Sequence, residues 1–319
     1  MDLRQLRYFA KVVECGSFSK AANQLHIAQP ALSQHVRHME EELGIILLHR
    51  AASGVRATEA GERLMVHAKR ILAEFAEITD SVRGETIAPR GVVRFGMPGT
   101  VSERMAAALI ESAKVRYPEI SIRVVEAMSG YVLDWLKKGD VDLAMIYATA
   151  DPRGLAVHHA LSEEICLFAS PGQASDAGLG GGPISLNDAA NLPLVMPGTS
   201  HGLRQLFDDV AKSQSITINP HIEIESYGLI KELVSRGLGF GVLPKTAVQK
   251  ENLAGTFRVW SFDQRITRRI YLAYSTDRPL PKAPRAVAQL SWETLRQLVR
   301  DGAWTADLSH ERNTPKLFG

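Results

Sequence analysis

Cysteine is nearly missing from this chain: its 319 residues include only Cys15 and Cys166, with no Cys-x-x-Cys pair and no Cys/His cluster. That spacing excludes a disulfide framework and a structural zinc site, so neither a metal nor a cofactor is expected. No apolar run approaches the roughly 20 residues that a membrane span needs. The first residues carry Asp2, Arg4 and Arg7 and show no apolar core of signal-peptide length, so a cytoplasmic chain without a membrane partner is expected. Charge of one sign is also lacking. The formal net charge of +2 excludes a polycation that coats nucleic acid indiscriminately. No internal repeat of fixed period stands out, and the one low-complexity patch, residues 178–182, reads as a surface loop.

What is present is enough for a small domain and a larger one, with an ordinary hydrophobic content of 45%. The small excess of positive charge sits at one end. Residues 1–70 hold ten Lys or Arg against seven Asp or Glu, whereas the remainder holds 27 against 28.

Between Ser17 and Leu43 the pattern is a short helix, a tight turn and a second helix. Ala21 and Ala22 are small enough for close helix packing, and Leu25 anchors the turn. Leu32, Val36, Met39 and Leu43 recur at helical spacing and define a core face, while Pro30 sits in the first turn, where its missing N–H costs little. The opposite face carries Gln29, Ser33, Gln34, Arg37 and Glu41. A Gln side chain can bond adenine N6 and N7, and Arg can read guanine or hold phosphate, so this face suits a major groove. An ordinary amphipathic hairpin with a solvated face fits the same local pattern. The stretch after it favours the first reading: Leu47–Arg50 and Val55–Ala57 flank a turn at Gly54, placing Arg50 and Arg56 on the two strands of a wing.

These residues resemble the winged helix-turn-helix of LysR-type transcriptional regulators. The resemblance is carried by residues 3–9 (LRQLRYF), Gly16-Ser17-Phe18-Ser19, Ala21-Ala22, Leu25, Gln29-Pro30-Ala31-Leu32-Ser33, residues 40–44, Arg50 and Thr58-Glu59-Ala60-Gly61. It implies a dimeric or tetrameric regulator, without catalysis, that binds interrupted palindromes in promoter DNA, answers to a small-molecule effector and meets RNA polymerase. Three departures stand out: Ala28 in place of a capping Ser or Thr, Gln34 in place of Arg, and Ile46-Leu47-Leu48 in place of Pro-Leu-Phe. The first leaves the N-terminal N–H groups of the reading helix to another partner, for which DNA phosphate is available.

From Thr58, a candidate N-cap, a long helix runs to about Val82. Leu64, Ala68, Ile71, Phe75, Ile78 and Val82 are spaced four, three, four, three, four, the interval of a coiled-coil seam. Two copies could pair along it, or the helix could pack on its own domain. In LysR-type proteins this helix joins two subunits. The polar run Arg83–Gly91 then reads as a hinge.

After Gly91 strands alternate with helices, which predicts βαβ units with a parallel sheet. The fold class is therefore α/β. The resemblance implies a two-lobed, periplasmic-binding-protein-like effector domain. The expected domains are 1–58 for DNA, 59–90 for linker and hinge, and 91–302 for the effector domain, followed by a polar tail over 303–319. Lobe I would take about 91–165 and 266–302, and lobe II about 166–265.

Ligands of such sheets bind beyond the carboxyl ends of the strands, where helix N-termini point into the crevice. Three junctions there are rich in hydroxyls: residues 98–102 with Thr100 and Ser102, residues 128–130 with Ser129, and residues 197–201 with Thr199, Ser200 and His201. Thr149 follows another strand. These groups suit a small anion, although plain helix capping explains each hydroxyl singly. Residues 98–102 and Ser129-Gly130 also resemble the nitrogen-assimilation-control branch of the family. Two rival functions remain open at this point. Gly198-Thr199-Ser200-His201-Gly202 fits G-x-S-x-G, which would make Ser200 an esterase nucleophile with Asp263 or Asp277 and His310. An effector-independent architectural DNA binder is the other.

Overall fold

The first two helices are closed at both ends by short-range hydrogen bonds that the sequence supplies, and the third only at its C-terminus. The computed structural model describes residues 1–51, 54–82, 88–127, 129–147, 152–277 and 280–308. Helix α1 (Leu3–Cys15) begins with a capping box between Asp2 and Gln5 and ends on Gly16 in the left-handed region. Helix α2 (Phe18–Leu25) is capped by the Ser17 side chain and closes on His26, also left-handed, with φ 55°. Helix α3 (Gln29–Leu43) starts at Ala28 without a side-chain cap. Strands β1 (Leu48–Ala51) and β2 (Gly54–Ala57) pair antiparallel with His49 opposite Arg56. The turn residues 52–53 lie outside the described residues.

Phe9, Val12, Ala21, Leu32, Val36 and Met39 have no exposure and form the centre of this head. Leu43 does not join them. It is 43% exposed, because α3 ends there and Gly44 turns the chain, so that Leu47 and Leu48 are the next residues to reach the core.

Helix α4 (Glu59–Val82) starts at Thr58, whose hydroxyl accepts the Gly61 N–H at 3.0 Å and donates to the Ile46 carbonyl at 2.8 Å. Its seam divides in two. Ala68 is buried in the head core with Leu64 packed beside it, whereas Ile71, Phe75 and Ile78 are exposed. The side chain of Val82 and residues 83–87 of the hinge lie outside the described residues. Lys69 forms an ion pair with Asp140, tying α4 to the rest of the chain.

The remainder follows in the order β3 (Gly91–Met97), α5 (Gly99–Arg116), β4 (Ile120–Glu126), α6 (Ser129–Lys138), β5 (Leu143–Ile146) and β6 (Leu155–Ala169). Next come α7 (Pro171–Asp176), α8 (Leu186–Ala190), β7 (Leu194–Met196), α9 (Gly202–Ser213), β8 (Ile222–Glu223) and α10 (Tyr227–Ser235). The chain continues through β9 (Phe240–Pro244), α11 (Lys245–Leu253), β10 (Arg258–Ser261), β11 (Thr267–Ser275), α12 (Lys282–Arg300) and β12 (Asp307–Leu308). The strands are ordered β4-β3-β5-β11-β6-β9-β7-β8, with β10 and β12 attached to β6.

The sheet is mixed rather than parallel. Parallel pairing holds for β4-β3-β5 and for β9-β7-β8, as βαβ crossovers require. Between these groups β11 runs antiparallel to β5 and β6, and β6 antiparallel to β9. The two long strands pass from one hydrophobic cluster to the other: Leu161 and Ile270 lie in the first, Ile165 and Ile266 in the second. Residues 162–164 and 267–269 are thus a two-stranded bridge between two lobes. Among the described residues no helix is long and apolar enough to cross a membrane.

One glycine fixes how α4 meets the head. A Cβ on buried Gly61 would stand 2.1 Å from the Leu47 carbonyl oxygen, and backbone cannot yield as a flexible side chain can. Gly61→Ala should therefore destabilise the head by about 1–3 kcal/mol in urea unfolding, and an unchanged midpoint would show that this contact does not set the packing.

Candidate DNA-reading face and inter-lobe cleft

The zero-exposure row Leu32, Val36 and Met39 fixes the rotation of α3 about its axis. Gln29, Pro30, Gln34 and Arg37 consequently face solvent, with Ser33 half-buried at the edge. Arg37 Nε bonds Glu41 Oε1 at 3.0 Å, an exposed i,i+4 pair worth little in water and readily exchanged for another anion. Arg56 is exposed on β2. Arg50 differs from the free phosphate clamp that the sequence suggests. Its guanidinium donates to Ser33 Oγ at 3.0 Å, lies 3.8 Å from Glu40 and stacks 4.7 Å from the centre of the Phe18 ring. Glu40 in turn accepts the N–H groups of Leu47 and Leu48 at 2.8 and 3.1 Å. Together these contacts hold the wing base against the reading helix. Sequence reasoning placed Glu40 only in a motif and missed this role.

Between the lobes lies a cleft of about 1070 Å³, at the upper end of small-ligand sites. Of the residues proposed from sequence, Thr100, Ser200 and His201 line it. Ser102 is buried and donates to the Gly99 carbonyl and the Glu126 carboxylate, while Thr199 contributes a carbonyl to Gln205 Nε2. Neither of these two is among the lining residues. Thr149 and the side chain of Ser129 lie outside the described residues.

The sequence reading missed the floor of the cleft. Arg268, 3% exposed, comes from the bridge strand β11 and pairs at 2.6 Å with Glu163, directly opposite on β6 and fully buried. The other Glu163 oxygen accepts Trp304 Nε1 at 2.9 Å. Arg268 stacks 3.9 Å from the centre of the Tyr147 ring, donates to Thr100 Oγ1 on one lobe and to Tyr227 Oη on the other, both at 3.3 Å. Thr100 and Tyr147 share a further 2.6 Å bond. Burial opposes the charge of Arg268, but Tyr147, Glu163 and Tyr227 outweigh it and raise its pKa above the ordinary value. Burial pushes the Tyr147 and Tyr227 hydroxyls up, so both stay protonated at neutral pH.

Two further carboxylates stand beside the segments that lead from β3 into α5 and from β7 into α9. Glu126 lies against Gly99, where a Cβ would come within 3.2 Å of its Oε1, and Glu225 accepts the Gly198 N–H at 3.2 Å. The junctions are copies of one tetrapeptide, Met-Pro-Gly-Thr at 97–100 and again at 196–199. That recurrence is a repeat the sequence reading passed over.

Ser200 is not on an elbow. Strand β7 ends at Met196, and Ser200 follows in an exposed turn before α9, so no sharp strand-to-helix corner presents its hydroxyl. His310 lies outside the described residues. His201 caps α9 instead of carrying charge: its Nδ1 accepts the Leu203 N–H at 3.1 Å, and burial, helped by Arg268, lowers its pKa to about 4. Between the ordinary value of 6.5 and about 4 the unfolded chain binds a proton that the folded chain refuses. Stability should therefore fall as pH drops through that window, and His201→Asn, which keeps a side-chain acceptor, should flatten this part of the unfolding profile. A profile identical to the parent's would remove the effect from His201.

Against known families, residues 3–62 match the bacterial regulatory helix-turn-helix protein, lysR family, and residues 87–296 match the LysR substrate binding domain. The nitrogen assimilation regulatory protein nac of Escherichia coli (strain K12) is 32% identical over 264 residues, covering 82% of this chain and 83% of that protein. A probable hydrogen peroxide-inducible genes activator of Streptomyces viridosporus is 32% identical over 311 residues, or 94% of this chain and 97% of the relative. Among solved structures, full-length OxyR from Pseudomonas aeruginosa superposes with a TM-score of 0.81 at 22% identity, over 98% of this chain and 99% of that one. Full-length CbnR in complex with its target DNA gives 0.61 at 19%, over 93% and 99%. With a reading head and a two-lobed ligand domain both matched over most of their length, the chain belongs to the LysR family of transcriptional regulators, which act by binding DNA and not as enzymes.

Proposed function

We propose that α3 enters the major groove with Gln29 and Gln34 reading bases, Pro30, Ser33 and Arg37 at the groove edge, and Arg56 on phosphate beside the wing. The observation that carries this reading is the exposed polar face of α3 held opposite three residues of zero exposure. The uncapped N-terminus at Ala28 leaves first-turn N–H groups for a phosphate. Arg50 acts mainly as a brace, positioning Ser33 and the wing. The relative solved on its target DNA supports the partner assignment at the level of fold.

Ile71, Phe75 and Ile78 form the exposed apolar stretch of α4, and we assign it to pairing with a second copy, so that two heads meet two half-sites. A ligand in the cleft would act by favouring one arrangement of the lobes over another. The size of the cleft and its buried floor favour an effector-responsive regulator over a purely architectural one. A thiol response is not part of this reading. Cys166 is fully buried, donates to the Leu243 carbonyl and has its pKa pushed up by burial, while Cys15 sits in the head.

Base preference and affinity should separate by variant. Gln34→Ala should relax preference at one position by about 1–3 kcal/mol, whereas Arg56→Ala should weaken all sequences alike and reduce the salt slope by about one. Selection of binding sites from a random library followed by salt titration measures both, and an unaltered preference with Gln34→Ala refutes its role. Ile71→Glu combined with Ile78→Glu should lower the sedimenting mass toward that of one chain and reduce DNA retention. An unchanged mass would place the pairing surface elsewhere.

A further inference from the structure

The cleft carries the wrong sign for the anion that its helix N-termini suggest. Four carboxylates line it, from Glu103, Glu126, Asp209 and Glu225, against two guanidinium groups, from Arg268 and Arg269. Arg268 is already neutralised by buried Glu163, and His201 is uncharged at neutral pH. At both Met-Pro-Gly-Thr junctions a carboxylate of the chain itself is in place: Glu126 accepts the Ser102 hydroxyl in the first turn of α5, and Glu225 accepts the Gly198 N–H in the loop that leads to α9. One of these, Glu126, belongs to the lobe of β4, and the other, Glu225, to the lobe of β8.

We propose that the effector is a small organic cation with one or more primary ammonium groups, bound between Glu126 and Glu225 so that carboxylates from both lobes close on it. The proposal rests on the reading of the cleft as an effector site. A metal ion is a poor occupant, because among the described residues no three His, Cys, Asp or Glu side chains converge to hold one. The carboxylates are spread along the cleft, which suits an extended cation over a point charge. Tyr147, Tyr227 and Tyr271 also line it and give it aromatic walls. A second polar feature is independent of the acids. Arg269 lines the cleft, is exposed and has no acceptor among the described residues. A ligand that bears a carboxylate beside its ammonium groups would supply one, so a basic amino acid fits the site better than a plain diamine.

Calorimetry and thermal shift with L-lysine, putrescine, succinate and sulfate, on the full chain, test this. L-lysine should bind saturably and raise the melting temperature, with putrescine weaker and the two anions without effect. Glu126→Gln and Glu225→Gln keep the shape and hydrogen-bonding oxygen but lose the charge, and each should weaken lysine about tenfold or more. Their melting temperatures without ligand report whether they fold. Putrescine as tight as lysine would retain the ammonium site and remove the carboxylate contact at Arg269. Saturable binding of succinate or sulfate without binding of either amine overturns the proposal while leaving the cleft an effector site. Amine binding that is indifferent to both Gln variants, or no binding by any probe, also overturns it. Salt-sensitive retention of promoter DNA by the same preparation shows separately whether the regulator reading stands.

Discussion

Glu163 and Arg268 face each other across β6 and β11 with almost no exposure, at the two-stranded bridge between the lobes. Neither charge tolerates burial alone, and removing one partner of such a pair typically costs about 3–5 kcal/mol because the other is left uncompensated. Each is therefore held by more than its partner: Glu163 by Trp304, and Arg268 by Thr100, Tyr227 and the face of Tyr147. These contacts reach into both lobes. A side chain that is buried for electrostatic reasons is thereby also the point at which the two halves of the ligand domain register against each other. Arg104, which donates to the Thr246 carbonyl, adds a second link between α5 and α11.

The cleft above this pair is built twice from one plan. A strand runs into Met-Pro-Gly-Thr, a helix follows, at once in α5 and after Ser200 and His201 in α9, and a carboxylate at or just past the end of the neighbouring strand closes on the turn. Glycine at both turns lets Glu126 and Glu225 approach the backbone where a Cβ would project. The outcome is a cleft in which both junctions carry a carboxylate of the chain itself.

The head follows a different economy of contacts. Its core is small, so α4 contributes Met65 and Ala68 to it before projecting with an apolar face uncovered. The wing is held against α3 through Arg50, Ser33 and Glu40, which makes the orientation of the reading helix and the wing a single rigid feature. Lys69 with Asp140 then connects α4 to the lobe that carries α6.

Local signals carried most of the element order. Strand patterning placed β11 at Thr267–Ser275, and the helical spacing of Leu32, Val36, Met39 and Leu43 placed α3. The first half of β6 was not legible, because His158, His159, Glu163 and Glu164 break the apolar run there. A finer reading of period two would have flagged the floor of the cleft, since Arg268 interrupts Ile266, Ile270 and Leu272, and Glu163 interrupts Leu161, Ile165 and Leu167. A charge at an inward position needs a partner, and that much is local. Which partner it takes is not. Glu163 and Arg268 stand 105 residues apart in sequence, and Glu126 and Glu225 meet one cleft only after two separate βαβ units close on the bridge. The sequence by itself determined the family and most of the order of elements, because those depend on neighbours within a few turns of chain. The exposure of Leu43, the bracing of Arg50 and the sign of the cleft were decided by tertiary structure, because burial and net charge at a site are sums over residues that only the fold brings together.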